Sequence, residues 1–308
     1  MEGNAPMMRS LYSAVTGLRN HQTSMDVIGN NIANVNTIGY KRSKATFATL
    51  LSQTLSGASA PDSRNDPPTF GGTNPLQVGL GMAIASIDRL MNQGVSMNTG
   101  STTDLMIQDA GFFTLQLGQD VFYSRAGHFG FDKDGNLVEP ATGALVLGYA
   151  NSAWQGTGAS TSYTPDWSDG PGIINIQLDM KHKDLTDYTL RDFMIDQRGV
   201  VTGVFSNGDD SITEQLYCIA LTTFNNPGGL MSVGNNFYTP SNNSGRANTG
   251  FPGEAGRGVI LPGNLEMSNV ELAQEFTDMI VTQRGFQANA RVITVSDTLL
   301  EELINLKR

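Results

Sequence analysis

Apolar residues recur at two spacings in this chain, and the spacing changes along it. Near the C-terminus, steps of seven from Leu272 land on Met279, Phe286, Ile293 and Leu300. A second row holds Phe276, Ala290 and Ile304, interrupted by Gln283 and Asp297. Two such rows offset by four predict a long amphipathic helix with a coiled-coil seam. Ser268 followed by Glu271 reads as a capping box before it, and Glu271, Glu275 and Asp278 place acids at its positive end. Lys307 and Arg308 close it. Its length is roughly 55 to 60 Å. Ile280, Val281, Val292 and Val295 lie off the seam, so the apolar face is wider than one partner helix needs. The plainer alternative is a terminal helix packed on its own domain.

The opposite end carries a second helix. Leu11, Leu18, Met25 and Ile32 repeat at seven, with Met8, Val15, Ala14 and Ile28 beside them and Gln22 and Gly29 interrupting. The simplest burial for both helices is against each other, which brings the termini together. Gly17 costs about 1 kcal/mol of helix propensity relative to Ala, so it predicts close approach of another backbone. The helix is expected to end near Asn36, where asparagines and Gly39 offer other hydrogen bonds and a left-handed turn. Met1 to Pro6 reads as an unstructured leader, and whether it belongs to the natural protein or is an extension ahead of a natural start at Met7-Met8 stays open.

Between the helices the period falls to two. Residues 43 to 80 are rich in Ser, Thr, Pro and Gly and read as an extended linker, with Phe47, Leu50 and Leu51 spaced for a short helical or packed stretch inside it. Leu105 to Ile107, Phe112 to Leu117 and Val121 to Tyr123 read as strands, and Asp134-Gly135 as a hairpin turn before Leu137. Asn151 to Pro171 lacks large aliphatics and reads as an exposed loop. Strands resume at Ile173 to Met180, Thr189 to Ile195, Val200 to Phe205 and Glu214 to Phe224, with Asn225 to Leu230 a turn. The fold class is therefore α+β: terminal coiled-coil helices around a mainly antiparallel β-domain with long linkers. The expected divisions are 1–36 for the first helix, 37–76 for the linker, 77–263 for the β-rich outer domain and 264–308 for the second helix.

Composition narrows the function classes. A net charge of −10 argues against nucleic acid or an anionic membrane as partner. Charged residues are 16 %, so the surface is built from Ser, Thr, Asn, Gln and Gly, which suits polar contacts between subunits. No apolar run is long enough for membrane insertion, and Met1 to Asn20 lacks the apolar core and cleavage site of a signal peptide. One cysteine, Cys218, excludes a disulfide framework. It sits in an alternating strand and reads as a small buried hydrophobe. Asp132, Asp134 and Asn136 imitate the start of a calcium loop, but Gly143 stands where the closing Glu belongs, so a turn is expected. His21, His128 and His182 have no partners at metal spacing. Gly79-Leu80-Gly81 lacks the third glycine and helix of a dinucleotide loop. No catalytic or metal constellation is found and no cofactor is expected.

Two stretches carry a resemblance. Asn30-Asn31-Ile32-Ala33-Asn34, Asn36-Thr37 and Gly39-Tyr40-Lys41 resemble the signature of bacterial flagellar rod and hook proteins. Arg9 to Ser13 with Gly17-Leu18, Leu265 to Val270, Phe276 to Val281 and Gln283 to Gln287 are similar to the same family. The resemblance implies a structural subunit rather than an enzyme. It implies a helical homopolymer whose terminal helices form the inner wall, with the segment after the first helix touching neighbouring subunits. Among its members a short-form hook protein is the closer likeness. Arg284-Gly285-Phe286 stands where rod proteins more often carry Arg-Ala-Tyr, and the ending Leu303 to Arg308 points the same way. The distal rod subunit is the rival reading. An adhesin-like module on a coiled-coil stalk leaves the likeness at both ends unexplained. The implied partners are further copies of the chain, the distal rod, hook cap and hook–filament junction proteins, and the flagellar export apparatus, which acts without a cleaved signal. Many longer hook proteins insert a further outer domain near 151–171, and here only a loop fits. Some hook proteins also join subunits by a lysine–cysteine crosslink, which the position of Cys218 within a strand does not favour.

Overall fold

The structure is a computed structural model that describes residues 5–61, 71–150, 173–178, 188–208 and 210–306, with side chains of the first helix from Arg9 onward. The expected leader, the loop at 151–171, the end of the strand expected at Ile173 to Met180, His182 and the closing Lys307 and Arg308 lie wholly or largely outside those residues. The fold is α+β. It divides into two compact units, one formed by residues 1–33, 43–89 and 271–308, the other by 34–42 and 90–270.

In the first unit, helix α1 (Ala5–Ala33) packs against helix α2 (Leu272–Leu306). At 1.5 Å per residue α2 is about 52 Å long. The helix expected to run to Asn36 ends at Ala33, and turns follow. The capping box does not form. Ser268 Oγ accepts a hydrogen bond from Val270 N (3.3 Å), and the first helical residue is Leu272. The stretch between the helices holds strands rather than irregular chain. Ser43–Thr49 pairs antiparallel with Met82–Arg89, with a register shift at Thr46/Phe47, and Ser52–Ser56 pairs with Leu76–Gly79. Phe47 lies on the first of these ribbons, half exposed, its ring edge-on to His21. Asn20 Nδ2 donates to Met82 O (2.7 Å) and fastens α1 to that ribbon.

The second unit is built on one large antiparallel sheet. Its main path runs Thr189–Ile195, Val200–Ser206, Ser211–Ile219, Ala144–Ala150, Phe112–Leu117, Asp120–Ser124, Phe237–Thr239, Met231–Gly234. Alternation sends neighbours to opposite faces. Phe113 joins the main core with Leu105, Ile107, Leu115, Val146, Ile219 and Leu221, while Phe112 joins a second cluster with Tyr123, Phe224, Leu230 and Tyr238. The strand expected from Glu214 to Phe224 is two pieces, Ser211–Ile219 and Leu221–Thr223, the second pairing with Asn248–Gly250. The turn at Asn225 to Leu230 contains a short 3-10 helix, Pro227–Gly229. The hairpin turn at Asp134-Gly135 links Gly130–Phe131 to Leu137–Glu139, and Gly135 has φ 82°.

Candidate interaction surfaces

The two helices meet through small and polar residues. On α1 the buried positions are Ala14, Gly17, Ser24, Ile28 and Asn31, in steps of three, seven, four and three. On α2 they are Glu275, Thr282 and Ser296, in multiples of seven. Three contacts fix an antiparallel register. Asn31 Nδ2 donates to Glu275 Oε2 (3.1 Å). A Cβ on Gly285 would stand 2.8 Å from the His21 ring, and one on Gly17 would stand 2.5 Å from Asn289 Nδ2. Gly17 thus makes room for a side chain, not for another backbone.

The large apolar residues are elsewhere on the helices. Leu11, Leu18, Met25 and Ile32 flank the α1 seam half-buried, as do Met279, Phe286, Ile293 and Leu300 on α2. Leu272 and Phe276 are 40 % and 50 % exposed. Ile280, Val281, Val292, Val295, Leu299, Leu303 and Ile304 are exposed as well. The chain therefore leaves a long apolar helical surface uncovered, of the kind that marks an interaction face.

The asparagine-rich signature performs two tasks. Asn31, 1 % exposed, accepts from Ser43 N (3.0 Å) and donates to Ser43 O (2.8 Å), so it holds the first strand as well as α2. Asn30 is exposed. Asn34 O accepts from Thr37 N and its Oδ1 from Thr37 Oγ1, both at 3.1 Å, which forms the turn after α1. Within the β-rich unit, Gly39 has φ 70° and donates its N–H to Glu266 O (2.8 Å). A side chain there would lie 2.6 Å from Ala126 N. Tyr40 is half-buried, its N–H bonded to Thr37 O (3.3 Å).

Lys41, the last residue of that signature, enters a buried charge cluster that periodicity gave no means to find. Its Nζ donates to Glu266 Oε1 (2.6 Å) and Asn92 O (2.7 Å). Glu266 Oε1 also accepts from Gly94 N (2.9 Å), and Oε2 from Arg125 Nη1 (3.4 Å). Burial holds the Lys41 ammonium below its usual range and Glu266 opposes that shift. Arg125 is likewise lowered by burial and supported by Glu266. The only sequence signal is the presence of Lys41 and Glu266 in the two stretches that carry the family likeness.

The other candidates are structural. The Asp132 carboxylate accepts from Asp134 N (2.9 Å), Asn136 N (2.7 Å) and Asn136 Nδ2 (2.8 Å), and the Asn136 side chain foremost holds it below the usual carboxylate range. It closes a turn. Cys218 is 2 % exposed, and burial pushes its thiol up to about 12. At neutral pH that thiol is un-ionised and unreactive. His128 Nδ1 meets Asp104 Oδ1 at 2.8 Å, a single pair. Among the described residues no three His, Cys, Asp or Glu are grouped to hold a metal, and no helix is long and apolar enough to cross a membrane.

Residues 11–41 match the family described as flagella basal body rod protein, and residues 261–306 the one described as flagellar basal body rod FlgEFG protein C-terminal. Residues 106–203 match the flagellar hook protein FlgE/F/G D1 domain. The chain is 34 % identical to the flagellar hook protein FlgE of Borreliella burgdorferi over 450 positions, which cover 98 % of this chain and all of that one. It is 42 % identical over 303 positions to the flagellar basal-body rod protein FlgG of Bacillus subtilis, again covering 98 % and 100 %. The hook protein FlgE of Treponema pallidum is 32 % identical over 471 positions, with the same coverage. The chain belongs to the flagellar rod and hook protein family. It is a structural component of the hook–basal body and not an enzyme.

Proposed function

We propose that this chain is the subunit of the flagellar hook, and that its copies polymerise into the curved tube that transmits torque from rod to filament. One observation carries the reading. Contacts between α1 and α2 fall at Gly17, His21 and Asn31, whereas α2 leaves Phe276, Ile280, Val281, Val292, Val295 and Leu303 exposed. A surface of that kind is satisfied by neighbouring copies. In the tube the helices form the inner wall and lock neighbours together. The β-rich unit, with few charges, slides between packings as the hook turns, because among its described residues the pairs with both side chains buried, Lys41 and Arg125 with Glu266, lie inside the unit and not on its surface. The partners are the distal rod below, the cap and the hook–filament junction above, and the export apparatus that delivers the chain without a cleaved signal.

The Borreliella hook alignment supports hook over rod. It holds more identical residues at 34 % of 450 positions than the Bacillus rod alignment at 42 % of 303. The hook relative is longer, and part of it has no counterpart here. The distal rod is the second reading, favoured by the equal length of the FlgG relatives. Immunogold labelling of purified hook–basal bodies decides. Label along the hook supports the proposal, label on the rod alone supports the second reading, and a bare hook and rod overturn both.

A further inference from the structure

The β-rich unit comprises residues 34–42 and 90–270, so the chain enters or leaves it after Ala33, after Arg42, before Leu90 and after Val270. Force that reaches the unit along the chain arrives at those passages. A single side chain bonds them to one another. Asn269 Oδ1 accepts from Arg42 N (2.8 Å), and Asn269 Nδ2 donates to Leu90 O (2.8 Å) and Asn92 O (3.1 Å). Leu90 N in turn donates to Arg42 O (2.9 Å). One amide thus ties segments 227 and 179 positions away from it.

The tie is seated where the three segments lie flush. Met267 N donates to Val95 O (2.9 Å), and a Cβ on Gly94 would stand 1.9 Å from Met267 O, so only glycine lets these passages come so close. The Lys41 ammonium, bonded to Asn92 O and Glu266 Oε1, is a second cross-tie between the same segments. None of Arg42, Leu90, Asn92 and Asn269 lies in a strand or a helix. The Asn269 bonds therefore do not extend the sheet. They join the passages of the chain.

That arrangement has a mechanical consequence. Bonds pulled one at a time open in sequence, each at the low cost of a local opening. Bonds that bridge neighbouring segments are strained together, so a pull on one segment is resisted by all of them. Resistance to force then follows the rate at which the joined set opens.

We propose that Asn269 is a yoke through which the passages of the chain into the β-rich unit share load. The inference rests on the reading that the chain carries torque as a hook subunit.

The test compares full-length Asn269→Ala with Thr222→Val. Thr222 is wholly buried and its hydroxyl meets those of Thr114 (2.8 Å) and Thr249 (2.7 Å), so its variant weakens the same unit away from the yoke. In the purified chains, Asn269→Ala should speed hydrogen exchange at the Arg42 and Leu90 amides on the order of tenfold, and Thr222→Val should leave both unchanged. Cells tethered by one flagellum then report how far the hook recoils when the motor stops. Hooks of Asn269→Ala should twist further under the same torque than hooks of the unaltered chain or of Thr222→Val. Unchanged exchange at both amides overturns the yoke. Equal recoil of the two variants also overturns it and leaves the hook reading standing. So does an Asn269→Ala chain that folds but builds no hook where Thr222→Val builds one, because a tie that shares load is needed only once the tube exists. Asn269→Asp keeps the acceptor for Arg42 N and loses both donations; it is read in the same way and decides if Asn269→Ala does not fold. Immunogold label on the rod alone overturns the hook reading, and the exchange rates then decide for the yoke by themselves.

Discussion

Lys41 Nζ lies 2.6 Å from Glu266 Oε1, and both side chains are wholly buried. The pair joins residues 225 positions apart, one just after α1 and one just before α2. Taking one partner away strands the others. Glu266→Ala leaves the Lys41 and Arg125 cations buried without their carboxylate and should cost about 3 to 5 kcal/mol. Lys41→Met should cost less, because Glu266 keeps Arg125 and the Gly94 amide. Thermal unfolding of the full chain compares the two. Equal melting of Glu266→Ala and the unaltered chain would show that the cluster carries no stability.

The same pair bears on where an autonomous β-domain begins. A fragment of residues 77–263, the β-rich outer domain proposed from the sequence, contains Arg125 but neither Lys41 nor Glu266. A fragment of 34–270 contains all three. Both should be β-rich and unable to polymerise, because neither holds the helices. The longer fragment should melt cooperatively at the higher temperature. A 77–263 fragment that melts as high as 34–270 would remove the cluster from the core of that unit.

Cys218 gives the chain an alkaline weakness. Its thiol is pushed from 9.0 up to about 12 by burial, so between those values the folded chain keeps a proton that the unfolded chain has released. Stability from this group is complete below pH 9 and falls as pH rises through the folded value. Relative to Cys218→Ala, the unaltered chain should lose up to about 1.4 kcal/mol per pH unit across that window. Denaturant titrations of both proteins from pH 8 to 12 measure the difference. Parallel curves would mean that the thiol is not buried in solution.

Gly17 and Asn289 test the register of the helices. Gly17→Ala gains about 1 kcal/mol of helix propensity, but its new Cβ would stand 2.5 Å from Asn289 Nδ2. Asn289 must move, so the single variant should lower the melting of the helical signal in circular dichroism. Adding Asn289→Ala clears the space and should bring the melting above that of Asn289→Ala alone. A Gly17→Ala chain that is simply more stable would place Asn289 away from Gly17.

The sequence showed where the helices lie but not how they face each other. Leu11, Leu18, Met25 and Ile32 mark the side of α1 with most apolar surface, and the contacts with α2 fall instead at Gly17, His21 and Asn31. Apolar periodicity reports the sum of all burial a helix is built for, including burial that a single chain does not supply. The strands at Ser43–Thr49 and Ser52–Ser56 were hidden for a related reason. They are built of Ser, Thr, Ala and Gln and bury little, so no alternation shows, and their pairing with Met82–Arg89 and Leu76–Gly79 is a long-range fact. Phe112 to Leu117 was legible because its side chains fill two cores. Gly39 was legible as a left-handed turn, but its closeness to Ala126 depends on the folded sheet. The cluster of Lys41, Arg125 and Glu266 left no trace in the apolar periodicity, since its members come from three distant segments.

In the assembled hook the exposed apolar face of α2 is covered by other copies of the chain. Cysteine accessibility measures this most directly. Ile280→Cys, Val295→Cys and Leu303→Cys each replace an exposed apolar residue of α2, and the buried Cys218 gives a silent background. In the soluble chain all three should react quickly with a maleimide. In isolated hook–basal bodies the same cysteines should react far more slowly, while a cysteine at exposed Lys133 in the β-rich unit keeps its rate. Equal rates at the three α2 positions in both states would contradict the account.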